Sequence, residues 1–593
     1  MLKLYIYILT TPDNLLFGFL SYFFTLILFF FTRFYIFSRK LIILVTFNIT
    51  YLILQYILLY LSNLQHNLNI YFDLINFTQN IGIIDFSLSF QLNSLTYLFS
   101  FLVLVIAFCT NLYALNYFKN EADEMGFLFW LNCFVLSMIV LVLSSNFLTL
   151  FLGWELIGFT SFFLINFWQS RRSTLKSSFK AFTFNLVSDL LLLAALITIY
   201  LNLHTTSIQT AFNLVILPGI NDAGWVKFTS FCLIGCASIK SVQILGHLWL
   251  PDSMEAPVPA SSLIHSATLV SAGIFLLLRF NNFVLLHNWL ILSLGCITAA
   301  YGGVVAAAQT DVKKLLAYST MSHCGFLFIL VSFGDCYITI VYLFLHGLFK
   351  ASTFFCVGSF IRYYGTQDTR MMGNGARLLW GDTLLLIFCA INLCGLPLTV
   401  GFSYKYFFFK TLFYNYFNFL HIGLIYIALL SSLIYFYRLI FYSIFDSWKN
   451  LLNTSPLIFH ILKPRGYRRL WMHKDYFRNS RITTFSIWYS LFFLVTFAFY
   501  VYFNIFFYNS TIFRNSDFID TYYLKSNLIT NYFLNFYNIY LIYFYLFYII
   551  IFIMLSLFTW RKNFYFYNKL NFYTLLLVGF TTFVFVLTCE VQF

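Results

Sequence analysis

Apolar runs of about 20 residues, the length of helix that spans a bilayer core, recur along the whole chain and are separated by short polar clusters. The pattern predicts sixteen helices, near 15–37, 41–61, 95–117, 127–145, 147–167, 180–201, 228–249, 260–280, 287–308, 314–333, 336–360, 383–410, 418–442, 484–508, 534–558 and 571–590. The fold class is therefore an all-α polytopic membrane protein. The longest polar insertion, 446–482, carries KPRGYRR and HKDYFRNSR and is too short and too aromatic to be a soluble domain.

Basic residues test this count, because Lys and Arg concentrate in the loops on one side of a membrane. Loops after odd-numbered helices, counted with Lys314 at the edge of the tenth helix, hold 22 of the 34 Lys and Arg, and loops after even-numbered helices hold three, Lys227, Arg514 and Lys525. A miscounted helix in the middle would scramble that alternation. Both termini are then expected on the side opposite the basic loops.

Composition narrows the class further. Of 593 residues, 61% are hydrophobic and 9% charged, where a soluble surface needs about 25% charged residues. This excludes a soluble enzyme, a nucleic-acid-binding module and a secreted disulfide scaffold, and makes membrane lipid the surrounding medium. The net charge of +14 reflects one-sided loops rather than an acidic partner. The eleven cysteines never form C-x-x-C, so they read as core thiols and supply no zinc or iron–sulfur ligand set. No phosphate-cradling or dinucleotide motif occurs, so no direct NADH binding is expected. The opening MLKLYIYILT lacks transit-peptide character and reads as leading into a retained helix. The excess of Phe and Tyr suits an AT-biased organellar coding genome.

Two places break the helical pattern. Lys240 precedes GHLWLPDSMEAPVP, and Lys405 follows CGLPLTVG. Proline removes a backbone donor, and in a bilayer the freed groups are tolerated only against protein or a water-filled cavity. Paired interrupted helices point to an inverted-repeat transporter, with broken helices at 228–249 and 383–410. The organisation expected is 1–126 as N-terminal helices, 127–280 and 287–442 as two five-helix repeats, and 443–593 as the basic loop and C-terminal helices.

Inside the apolar runs stand Glu155, Asp189, Lys240, Lys350 and Lys405, with His265 and His346 beside them. A charge at mid-bilayer costs about 2.5–3.5 kcal/mol on insertion scales, and three lysines face two carboxylates. A buried lysine exchanges its proton readily, so these residues read as a proton relay. His346 and Lys350, in HGLFK, are four apart and share a helical face. Asp189 could instead neutralise Lys176 or Lys180. Asp252 and Glu255 have no nucleophile or metal beside them and read as a loop between helix halves.

The stretches FLGWELIGFTSFFLINFW, HLWLPDSMEAPVPASSLIHSATLVSAGIFLLLR, AAAQTDVKKLLAYSTMSHCGF and HGLFKASTFFCVGS closely resemble the subunit 5 family of NADH dehydrogenase, the distal antiporter-like subunits of respiratory complex I. The likeness runs over about 90–440. It implies two inverted five-helix repeats and a mid-plane row of charges. Glu155 and Lys240 match the family's acid–lysine pair, Asp189 the acid of the sixth helix, and His265 and His346 the linking histidines. Lys350 matches the central lysine, Lys405 the lysine of the second broken helix, and Asp311 a structural or gating position.

The resemblance also implies that flavin, iron–sulfur clusters and quinone belong to partner subunits, with no cofactor in this chain. It implies neighbours in the membrane arm of complex I, above all the adjacent antiporter-like subunit, and a place in the mitochondrial inner membrane. A multisubunit cation/proton antiporter shares the same core. Three departures stand out: Leu186 where the family carries Arg, Tyr406 where it carries an acid, and only RKNFYFYNKL (561–570) where it has a long lateral helix.

Overall fold

The computed structural model describes residues 87–445 with short gaps, the strand Ile70–Asn76 and a few positions between 18 and 53. All of them belong to the first of two units, Met1–Ser516 and Asp517–Phe593. The predicted helices at 484–508, 534–558 and 571–590, the insertion 446–482, Tyr406 and 561–570 lie outside the described residues.

Every predicted helix between 95 and 442 has a counterpart. In chain order these are α1 Ser94–Tyr117, α2 Glu124–Leu143, α3 Phe147–Ile165, α4 Arg172–Leu203, α5 Ile208–Val215, α6 Gly224–Lys240, α7 Trp249–Ser253, α8 Val258–Ser266 and α9 Leu269–Arg279. There follow α10 Asn288–Ala308, α11 Val312–Ser332, α12 Cys336–Tyr364, α13 Trp380–Cys394 and α14 Phe419–Ile440. Among the described residues, nine helical stretches are long and apolar enough to cross a membrane, with α8 and α9 taken as one; α6 and α13 are shorter.

Four details depart from the pattern reading. The fold is not wholly helical, because β1 (Ile70–Asn76) and β2 (Ser87–Leu92) form an antiparallel hairpin. Its second strand, SLSFQL, alternates polar and apolar, the period of a strand, in a segment too short for the membrane pattern to register. Helix α4 begins at Arg172 rather than 180, so the basic cluster Arg172, Lys176 and Lys180 is helical.

The first broken helix ends at Lys240, ahead of the proline-containing stretch. Val242 and Leu245 there have φ of 62° and 78°, a conformation costly for a β-branched or bulky residue. Pro251 instead sits inside the first turn of α7, where a missing N–H costs nothing. Finally, the single predicted helix 260–280 is two, α8 and α9, divided just after His265.

Hydrogen bonds between loops establish which ends lie together. Lys180 meets Asp252 at 2.6 Å, the Lys313 ammonium donates to the Ala256 carbonyl at 3.1 Å, and the Thr369 amide donates to the Thr310 carbonyl at 2.9 Å. These contacts gather one end of the bundle. At the other end the Ile208 amide donates to the Ser145 carbonyl at 3.0 Å, the Ser145 amide to the Ser89 carbonyl at 3.2 Å, and Arg279 caps the end of α2 through the Ser144 hydroxyl at 3.0 Å. Helices α10 and α11 approach most closely where small residues allow it: a side chain at Gly325 would lie 2.6 Å from the Ala299 nitrogen.

Candidate functional site

Lys240, the last residue of α6, is 1% exposed. Its ammonium lies 3.6 Å from the Asp189 carboxylate, 3.5 Å from the Trp154 carbonyl and 5.0 Å above the Trp154 ring. Asp189 is itself buried and accepts a hydrogen bond from Ser188 at 3.0 Å. The acid within 4.0 Å of Lys240 is thus Asp189, on α4, and Glu155, the acid that the resemblance pairs with it, stands further off. Glu155 is half-buried on α3 and lies within electrostatic reach of both charges. Geometry explains the exchange: Glu155 and Trp154 are adjacent on a helix and point about 100° apart, and it is the Trp154 side that faces Lys240.

Asp189 therefore does not neutralise Lys176 or Lys180. Lys180 pairs with Asp252 at the bundle end, and Ser173 donates to Glu255 at 3.3 Å. Asp252 and Glu255 thus anchor α7 and its following turn to α4. Leu186, three residues before Asp189 on α4, is 42% exposed.

His265 is fully buried at the end of α8, with Ser253 of α7 3.4 Å from Nε2, the Phe354 ring 6.0 Å away, and Nδ1 unpartnered. It lies within electrostatic reach of Lys350. Lys350 is fully buried, and its ammonium donates to the Ser319 hydroxyl of α11 at 2.6 Å. His346, one turn earlier on α12, places its ring 4.9 Å from that of His323.

Lys405 is 5% exposed and donates to the Cys394 carbonyl at 2.8 Å, the last carbonyl of α13. Gly395 makes this possible, because it ends the helix with φ of 68° and a side chain there would lie 2.5 Å from Lys405 Cδ. Among the described residues no carboxylate lies within 4.0 Å of Lys350 or Lys405. Asp311 lies apart from this row, at the bundle end with Lys314 3.3 Å away.

Sequence reasoning missed two buried residues, one in the row and one at the bundle end. His323, in STMSHCGF, is 1% exposed, its Nδ1 is 2.8 Å from the Tyr342 hydroxyl, and its Nε2 is unpartnered like that of His346. A lone histidine within an apolar run is a signal, and it carried no special weight beside the charges. Lys313, read as a loop residue, is 3% exposed and caps the end of α7 through the Met254 and Ala256 carbonyls. No group of three His, Cys, Asp or Glu among the described residues is placed to hold a metal.

The arrangement is a row of groups able to hold or pass a proton, Asp189–Lys240, His265, Lys350, His346–His323 and Lys405, with neutral hydroxyls and carbonyls between them. The unused ring nitrogens of His265, His346 and His323 leave each able to accept or donate once more.

Comparison with known proteins places this core. Residues 144–434 match the family described as NADH:quinone oxidoreductase/Mrp antiporter, transmembrane. NADH-ubiquinone oxidoreductase chain 5 of Paramecium tetraurelia is 46% identical over 374 residues, covering 61% of this chain and 65% of that protein. Its counterpart in Phytophthora infestans is 34% identical over 339 residues, 55% of this chain and 51% of that one. The chain thus spans between half and two thirds of the length of these relatives. A chain in the structure of the Mrp complex from Dietzia sp. DQ12-45-1b superposes with a TM-score of 0.65 at 24% identity, covering 74% of this chain and 48% of that one. Every buried charge of the row lies within residues 144–434, the stretch that matches the transmembrane family of NADH:quinone oxidoreductase and Mrp antiporter proteins.

Proposed function

We propose that this chain is a proton-translocating membrane subunit of NADH:ubiquinone oxidoreductase in the mitochondrial inner membrane. In this reading its neighbours are other membrane-arm subunits, above all the adjacent antiporter-like one, and the flavin, iron–sulfur clusters and quinone reside in partner chains. The observation that carries it is the pair of buried lysines, Lys350 and Lys405, that no carboxylate meets among the described residues. A permanently charged ammonium so placed is costly. A lysine that alternates between ammonium and amine is charged only while it carries the proton.

The Asp189–Lys240 pair then acts as the switch. A proton arriving at or leaving this pair changes the field felt further along, and the proton moves by His265 to Lys350, across His346 and His323, and on to Lys405. The two broken helices place Lys240 and Lys405 at free backbone ends, in keeping with two repeats at 127–280 and 287–442. Energy from NADH oxidation in other subunits would drive the cycle by shifting the field at the first pair.

The assembled complex reconstituted in vesicles tests this. Lys350→Arg should abolish NADH-driven proton uptake while leaving the subunit in place, because guanidinium stays protonated and cannot cycle. Full pumping in that variant would reject the relay. Sodium-dependent proton flux without NADH would favour the cation/proton antiporter reading that the shared fold also permits.

A further inference from the structure

Asp382, in the first turn of α13, is 3% exposed, and the row described above makes no use of it. An Asp at this position ordinarily serves its own helix by accepting from the free N–H groups. Here Oδ1 has no partner, and across the helix interface the carboxyl faces Ser359 of α12. No cation among the described residues stands within 4.0 Å of it.

Ser359 has a single hydrogen, and its hydroxyl lies 2.7 Å from the Cys356 carbonyl of its own helix. With that hydrogen on Cys356, only a protonated Asp382 could donate to the Ser359 hydroxyl. Turned towards Asp382, the same hydrogen would serve the carboxylate without its proton. The hydroxyl can thus serve either protonation state of the acid.

Polar groups continue from there along the α12–α13 interface. Ser359, Cys356 and Ser352 recur at spacings that share one face of α12, and Asp382 and Cys389 share one face of α13. Cys356 lies within electrostatic reach of Asp382 and Cys389, and the Ser352 hydroxyl meets the Cys389 thiol at 2.8 Å. Beyond them Cys394 ends α13, its carbonyl holding Lys405 and its thiol within electrostatic reach of both Lys405 and Lys350. From Asp382 to Cys394 the helix rises about 18 Å at 1.5 Å per residue. The seam starts at the bundle end that carries Arg362 and Arg370 and finishes at the two lysines without an acid.

We propose that Asp382 is a proton-loading residue: it takes a proton from solution at the basic-loop end and passes it along the seam to Lys350 and Lys405. The proton leaves the carboxyl O–H and ends on an uncharged amine, so no oxidant or reductant takes part. This rests on the proton-transport reading above. The titratable or charged groups facing the seam are Cys356 and Cys389; α14, the other helix packed on α13, carries Tyr435 and Arg438, whose guanidinium is bonded to the Ala307 carbonyl.

The test is NADH-driven pumping by the reconstituted complex as pH is raised on the basic-loop side. Asp382→Asn should make the rate fall about tenfold per pH unit, as expected when water replaces a positioned proton donor. Asp382→Glu should restore the flatter wild-type profile, which a purely structural role would not do. Should Asp382→Asn fail to assemble, Ser359→Ala should show the same steepened profile. A wild-type profile in either assembled variant overturns the proposal. Lys350→Ala serves as the control: if it pumps normally the transport reading itself fails, and if it is silent while Asp382→Asn is normal only the loading role is lost.

Discussion

At the residue scale, the acid that faces Lys240 decides what its loss would do. Asp189 and Lys240 are both nearly inaccessible, and removing one partner of a buried pair typically costs about 3–5 kcal/mol because the other charge is left alone. Asp189→Asn is therefore expected to lower thermal stability in detergent markedly. Glu155→Gln, at a half-buried position with no ion pair within 4.0 Å among the described residues, should change it little. Combining Asp189→Asn with Lys240→Met should recover much of the loss, because no unpaired charge is then left in the interior. Equal destabilisation by Glu155→Gln would return Glu155 to the role of direct partner.

At the element scale, helix ends do the positioning. Gly395 adopts a left-handed conformation that costs other residues about 1–2 kcal/mol, and its missing side chain makes room for Lys405. Gly395→Ala should displace Lys405 from the Cys394 carbonyl and reduce pumping. Gly423→Ala is the control: it lies in α14 with nothing within 4 Å of an added side chain, so it should be neutral or slightly stabilising.

The short bridge between the loops before α11 and after α12 is a second such element. Arg370 holds the Asp368 carboxyl below its ordinary value of 3.8, through hydrogen bonds of 2.7–3.2 Å. A depressed value means that this contact stabilises the folded loop above the ordinary carboxylate range and is lost as pH falls through the lowered one. Amide exchange at Val312 and Thr369, corrected for intrinsic rates, should therefore be flat from neutrality to about pH 4 and rise only in stronger acid. The change should be small, since the pair is exposed, and a rise already complete at pH 5 would show that another group holds the bridge.

At the scale of the whole molecule, loop-to-loop hydrogen bonds and the basic-residue count reach the same topology by independent routes. The bonds join 171–180, 252–256, 310–313 and 367–369 at one end, all of them following odd-numbered helices in the sixteen-helix reading. Residues 89, 145, 207–208 and 279 meet at the other end. Cysteines introduced at the exposed Ser170 and Gln367 should react with an impermeant thiol reagent from one face of the membrane, and one at Gln209 from the opposite face. Reaction of Ser170→Cys and Gln367→Cys from different faces would end the model of alternating crossings.

The class, the helix order from 95 to 442 and the identity of most buried charges are legible in the order of amino acids alone. Each of these follows from local hydropathy or from the cost of placing a charge in a bilayer, and both are visible one residue at a time. Tertiary structure decided the pairings. Whether Glu155 or Asp189 meets Lys240 depends on the rotation of α3 and α4 against α6, and apolarity on all sides of a helix carries no information about rotation. The position of the first break was equally hidden, because Val242 and Leu245 hold it in a conformation their residue types disfavour, and only surrounding packing sustains that. His323, Lys313 and Asp382 gained their places in the same way: each is an unremarkable polar residue in the chain, given a role by what the neighbouring helix sets against it.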